Sequence, residues 1–186
     1  MLKSKSIIWL VLLLVVGIGA ACDGQTDEAN KFVDEGNAIV KKYNDISPKA
    51  VDSLNALMGE KMTQAEDLEQ YKTANKAKFD EVVSLYEQLD KSGTEAAAKF
   101  EQASKVNTDA KFKEYAAAKA QEFKKRAETD RASATFVKSF LAEKDAEKAD
   151  RQVADYNKKN ADMIKEADGL MAKADQIVKD NPGVFK

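Results

Sequence analysis

Chemistry needs side chains that can give up, hold or transfer something, and this chain offers an unusual selection of them. It has no histidine in 186 residues, and one cysteine, Cys22. That removes Ser-His-Asp and Cys-His nucleophilic catalysis, carboxylate/His iron centres and the usual zinc ligand sets. A disulfide within the chain is excluded, because Cys22 has no partner. Carboxylates are plentiful, with 32 Asp and Glu against 30 Lys and Arg. They come in pairs such as Glu66/Asp67/Glu69 and Asp80/Glu81. General acid–base work needs one such group desolvated and aimed at a substrate, and these lie among lysines on expected outer helix faces. No EF-hand spacing, glycine-rich phosphate loop or GxSxG is present. The sequence therefore reads as a protein that is not an enzyme, with no catalytic residues, no metal ligands and no cofactor.

Two polar residues stand out by position. Asp130 and Asn160 both fall on apolar seams, where an ion-binding role competes with a simpler one. A polar residue on a seam fixes helix register at some cost in stability. An ion site needs several converging oxygens, and spacing alone shows none, so the register role is the reading taken.

Cys22 takes its meaning from what precedes it. Lys3 and Lys5 lead into an uncharged run from Ile7 to Ala21. As a helix that run would span roughly 22 Å, short of the ~30 Å hydrocarbon core. A positive n-region, an apolar h-region and small residues before a cleavage point describe a secretory signal. Gly19-Ala20-Ala21-Cys22 resembles the lipobox of bacterial lipoproteins, with Gly19 where that class commonly has leucine. The resemblance covers residues 1–22. It implies that the Cys22 sulfur carries a thioether-linked diacylglycerol and that Cys22 becomes the mature N-terminus, which takes it out of consideration as a nucleophile. Two or more acyl chains hold a protein stably at a membrane where one would not. The expected location is the bacterial cell envelope, on the exported side of a membrane, at the periplasmic face or the cell surface. Asp23 is similar to the residue that marks inner-membrane retention in enterobacterial lipoproteins, a rule other bacteria do not share.

Loss of residues 1–21 would leave 28 basic against 32 acidic residues, a net charge of −4. Mild acidity argues against binding nucleic acid or anionic headgroups by bulk attraction. The densest basic stretch, Lys111 to Arg131, is interleaved with Asp109, Glu114, Glu122, Glu128 and Asp130, a pattern expected of a solvated helix face.

The remainder is rich in helix formers, with Gly and Pro confined to a few places. No window alternates at period two for long, so no sheet is expected. The sequence predicts an all-α fold: an elongated up-and-down antiparallel bundle of three to four helices with coiled-coil-like seams. The expected organisation is a signal over 1–21, a linker over 22–27, a bundle over 28–181 and a tail over 182–186. Thr26 is a candidate cap for the first helix. Ser47-Pro48 reads as a cap and first position of a second, Ser92-Gly93 as its end, and Asn107-Thr108 as a weaker interruption or kink. One seam runs Ala116, Ala120, Phe123, Ala127, Ala134, Val137, Leu141; another runs from Ala146 through Val153, Tyr156, Asn160 and Met163 to Ile177. The five-residue step from Leu141 to Ala146 fits neither three nor four, and places a reversal or stutter at Ala142–Asp145. Asp180-Asn181-Pro182-Gly183 closes the last helix, and Val184-Phe185 either packs back or frays.

The function these features imply is that of an interaction or structural module anchored through Cys22, with an envelope protein as partner and a homo-oligomer as an option. The alternative is a carrier of an apolar ligand between Ala-rich helices with interspersed aromatics.

Overall fold

The computed structural model describes residues 25–59 and 67–185. The signal run, Cys22 and Asp23 lie outside the described residues, as do Met62 and Ala65. Five helices and no strand occur among the described residues: α1 (Gln25–Met58), α2 (Leu68–Ala74), α3 (Lys76–Lys105), α4 (Ala110–Ala142) and α5 (Ala146–Asp180). The all-α antiparallel bundle expected from the pattern is what forms. No described helix is long and apolar enough to cross a membrane.

The four long helices alternate in direction. Along α1 and α3, Glu35 pairs with Lys99 while Leu57 lies beside Tyr71, just ahead of α3. Along α3 and α4, Asp90 pairs with Arg131 and Glu87 with Lys138. Along α4 and α5, Ser133 meets Tyr156 and Lys125 meets Glu166. At 1.5 Å per residue the 34 residues of α1 span about 51 Å.

Heptad seams explain this order. α1 buries Ala29, Val33, Gly36, Val40, Tyr43, Ala50, Leu54 and Leu57, and α3 buries Phe79, Val82, Tyr86, Leu89, Gly93, Ala96, Phe100 and Ala103. Both sets follow alternating steps of three and four, so each helix keeps one face toward its neighbours over its whole length.

That continuity overrides two of the expected boundaries. α1 runs straight through Ser47-Pro48, because the seam passes from Tyr43 to Ala50 without a change of phase. Pro48 is exposed, where water can meet the Asn44 carbonyl that the missing N–H leaves unbonded. The break falls later, at Gly59, and Asp67 then caps α2 by accepting from the Gln70 N–H. α3 likewise runs through Ser92-Gly93. There glycine serves close approach: a Cβ on Gly93 would lie 3.1 Å from the Ala127 Cβ and 3.3 Å from the Phe123 carbonyl oxygen of α4.

Asn107-Thr108 is the true turn between α3 and α4, closed by Asp109, whose carboxylate accepts from the Lys111 and Phe112 N–H groups. The phase break at Ala142–Asp145 is also a true turn, with Asp145 capping α5. The first described residues, 25 to 27, assigned above to the linker, are already helical. The last helix stops at Asp180 as expected. Phe185 packs back, its ring 5.3 Å from that of Tyr115 and 6.4 Å from that of Phe112.

The helices are unequally buried. α4 is central and carries two buried faces: Ala116, Phe123, Ala127, Asp130, Ala134 and Val137 on one, and Phe112, Tyr115, Glu122, Thr129, Ser133, Phe136 and Phe140 on the other. α5 buries only Ala149, Ala167, Ala174 and Ile177.

Candidate functional site

The buried polar groups gather halfway along α4. Asp130 belongs to its seam and is 6 % exposed. The Tyr43 hydroxyl of α1 donates to its Oδ2 at 2.7 Å. One turn on, Ser133 Oγ sits 2.9 Å from the Tyr156 hydroxyl of α5 and also donates to the Thr129 carbonyl. Tyr86 of α3 is buried beside both Tyr156 and Asp130. All four long helices thus send a polar side chain to one level of the bundle.

Electrostatics at this level follow from desolvation. Burial pushes the Asp130 carboxyl up to about 7; Asp90 adds to the rise, while the Tyr43 hydrogen bond and Arg126 oppose it. Tyr43 and Tyr86 are pushed well above the ordinary phenol range, by burial first and by neighbouring Asp130 and tyrosines second. Tyr156 moves the same way for the same first reason. The arrangement can therefore hold or release one proton, on Asp130, near neutrality. The sequence assigned Asp130 to register, and its seam position and link to α1 fit that role.

Asn160 lies one turn beyond Tyr156 on α5, half-buried. Its Oδ1 finds no hydrogen-bond partner among the described residues, and neither does Oε1 of Gln152, one turn before Tyr156. Positions 152, 156 and 160 share one helical stripe. No group of three or more His, Cys, Asp or Glu side chains that could hold a metal ion occurs among the described residues.

A second polar group flanks the first toward the other end of α4, and sequence reasoning missed it. Glu122, expected on a solvated face, is 2 % exposed. It is held by Lys119 at 2.6 Å and Arg126 at 2.9 Å, and Arg126 reaches on to Asp168 of α5 at 3.4 Å. The Lys119 ammonium also lies 5.0 Å from the Phe123 ring centre. Lys111 and Lys125 pair with Glu114 and Glu128 as expected of a solvated, mixed-sign face. Glu122 departs from it because the central helix needs a second buried face. Lys72 was missed as well: it is 4 % exposed, its ammonium donates to the Glu143 carbonyl at the end of α4, and it lies 4.6 Å from the Phe140 ring centre. A cation there complements the negative end of α4.

The carboxylate pairs do not converge. Asp67 caps α2, Glu69 lies 3.5 Å from Lys72, and Asp80 bonds Lys76 at 2.7 Å. Glu66 lies outside the described residues. The aromatics pack on one another: Phe79 with Phe140 at 5.8 Å, Phe100 with Phe123 at 5.9 Å, and Phe136 stacked on Tyr156 at 4.0 Å.

No protein-family model matches the sequence, and comparison with curated proteins and with solved structures gives no significant match.

Proposed function

We propose that this chain is a lipid-anchored lipoprotein of the bacterial cell envelope whose helical body acts as an interaction or structural module for another envelope component. The observation that carries this reading is the segment ending in Gly19-Ala20-Ala21-Cys22, preceded by Lys3, Lys5 and an uncharged apolar run. Only Asp23 and Gly24 separate Cys22 from Gln25, a reach of about 10 Å at full extension. A body so tethered stands against its membrane, with the Gln25 end of α1 nearest and the α4–α5 turn about 50 Å farther along the bundle axis. The outer faces of α1, α3 and α5 then offer charged, mixed-sign surface to a protein partner. The carrier reading draws less support, since the large aromatics are engaged with each other.

Mass spectrometry of the N-terminal peptide from native protein tests the anchor. The expected peptide begins at Cys22 and carries the mass of a diacylglycerol, with or without a further acyl chain. Cys22→Ser should move the protein from the membrane to the soluble exported fraction or leave it unprocessed. A native peptide beginning at Met1, or a free thiol at Cys22, overturns the proposal. A cross-linked pull-down from solubilised envelopes tests the module: recovery of one specific protein supports it, and recovery of none counts against it.

A further inference from the structure

The ring of long helices is open on one side. α1 packs along α3 and α5 along α4, while α1 and α5 scarcely meet. Their contacts fix which flank of each lines the opening. On α1, Glu35 pairs with Lys99 and that ammonium lies over the Phe32 ring, so the flank of Phe32 and Ile39 belongs to α3. The opposite flank carries Asn30, Asn37, Asn44 and Val51 at seven-residue steps. On α5, Glu166 turns to Lys125 of α4. The opposite flank carries Ala154, Asn157, Ala161 and Ile164, an uncharged stretch between Asp150 and Asp168. The exposed large hydrophobic side chains among the described residues are Val51, at 44 %, and Ile164, at 42 %. One lies on each wall of this groove. The Oδ1 atoms of Asn30 on one wall and Asn160 at the base of the other find no hydrogen-bond partner among the described residues.

We propose that this groove is the docking face for a second copy of the chain, in a two-fold dimer whose axis runs along the bundle. The charges on its rims single out that occupant. The α1 rim is acidic: Asp34, Asp45 and Asp52 are exposed and form no ion pair among the described residues, with Lys41 interrupting the row. The α5 rim is basic, with exposed Arg151, Lys158 and Lys165 one heptad apart; Glu147 interrupts it and is already paired with Arg151. One face thus holds both halves of a complementary pair, which is what an isologous interface requires. Heights follow from the contacts across the bundle: Tyr43 meets Asp130, and Ser133, about one turn along, meets Tyr156. α1 and α5 run antiparallel, so Asp45 stands near the height of Lys158 and Asp52 near that of Arg151. Rotation about the bundle axis preserves height. It carries Lys158 and Arg151 of one copy to face Asp45 and Asp52 of the other, and covers Val51 and Ile164 between them. The choice of axis rests on the anchor proposed above: both Gln25 ends then point the same way, and both Cys22 tethers enter one membrane. Confinement there raises the effective concentration of the second copy.

Sedimentation equilibrium of the protein as its host makes it, solubilised in mild detergent, tests this through charge reversal. The wild type should associate to twice its chain mass as concentration rises, and less readily at high salt. Asp45→Lys and Lys158→Glu change exposed side chains outside the core, so each variant should keep the fold. Each should weaken the dimer about tenfold, since symmetry places every reversal at two contacts. Combined in one chain, or mixed as two separate chains, the two reversals should restore association, because opposite charges again face one another across the interface. Recovery on mixing is something that closure of α1 onto α5 within one chain cannot give. A single chain mass at every concentration, a dimer indifferent to both reversals, or no recovery on mixing each overturns the proposal. A free thiol at Cys22 would remove the anchor, whereas the charge-reversal series reads the dimer without it, so the two failures are distinguishable.

Discussion

The three-helix body of α1, α3 and α4 and the fourth long helix, α5, obey the same heptad arithmetic and reach opposite degrees of burial. α3 spends its seam on Phe79, Val82, Tyr86, Leu89 and Phe100, all buried. α5 follows an equally regular seam from Ala149 to Ile177, yet Val153, Tyr156, Asn160, Met163 and Leu170 stay half-exposed. Periodicity fixes which face points inward, while side-chain volume and the number of flanking helices fix how much area is removed from water. α4 lies between α3 and α5, so α3 gains a large aromatic partner set while α5 gains one flank. The difference teaches that the body carries most of the hydrophobic stabilisation and that α5 is held by fewer, more polar ties.

The sharpest way to break this comparison is to cut matched side chains in each region. Phe100 is fully buried, its ring stacked against that of Phe123. Phe100→Ala should cost about 3–5 kcal/mol in chemical denaturation. Met163→Ala on α5 should cost only about 1 kcal/mol, because a half-exposed side chain loses less transfer energy and its cavity fills with water. Equal losses at the two sites would refute the asymmetry.

Next in size is the pH dependence of Asp130. Its carboxyl is raised in the fold from 3.8 to about 7. The folded state therefore holds the proton more tightly than the unfolded chain does. The stability this group permits is complete below pH 3.8 and falls as pH rises through 7. The shift bounds the loss at about 4 kcal/mol, at 1.36 kcal/mol per unit. Asp130→Asn, which keeps an acceptor for Tyr43, should leave stability near pH 4 unchanged and raise it by about 2–4 kcal/mol at pH 8. Glu35, Glu101, Glu114 and Asp145 run the other way, their values lowered by lysine partners or, for Asp145, by the Lys148 N–H. Their contribution disappears as pH falls through those lowered values, so the thermal midpoint should peak on the acid side of neutrality. A midpoint that climbs steadily from pH 5 to 8 would exclude a raised Asp130.

The orphaned amides of α5 provide a smaller effect. Replacing Asn160 by Leu removes an unpaired buried oxygen and extends the apolar seam, and should stabilise by about 1 kcal/mol. The same change at an exposed α5 position such as Lys159 should be neutral, within about 0.5 kcal/mol. Destabilisation by Asn160→Leu would mean that the amide is satisfied and that this half of α5 is better held than its burial suggests.

How much of this was legible in the sequence depends on whether a signal sums over many residues or rests on one. The five-residue step from Leu141 to Ala146 located the α4–α5 turn, because seam phase integrates over two whole helices. Ser47-Pro48 and Ser92-Gly93 misled, because each is a local preference of about 1–3 kcal/mol set against packing along an entire seam. Asn107-Thr108 was underread because its strongest sign, the Asp109 cap, is a side-chain bond that many aspartates could make. Asp130 was visible as a polar residue on a seam. Its partners Tyr43 and Tyr86 were not, since they lie 87 and 44 residues away in sequence. Glu122 was placed outside because a helix with two buried faces looks, residue by residue, like one with a solvated face. Which helix is central is a property of the assembly.

The two mid-helix glycines of α3 and α5 give the finest test of the comparison, because their intrinsic helix penalty is the same and only their surroundings differ. Glycine costs about 1 kcal/mol relative to alanine in a helix interior. Gly169, on the outer face of α5, has no atom within 4 Å of a built Cβ, so Gly169→Ala should recover nearly all of that as added stability. Gly93 faces α4, where the new methyl meets the Ala127 Cβ at 3.1 Å and backbone atoms of Ala127 and Phe123 at 3.3 Å. Backbone cannot swing aside as a flexible side chain would, so α3 and α4 must separate around this contact. Overpacking of about 1–3 kcal/mol then exceeds the propensity gain, and Gly93→Ala should be net destabilising by about 1 kcal/mol. Opposite signs from one substitution, read in a single pair of denaturation curves, would establish that α3 is clamped to α4 while the outer face of α5 is free.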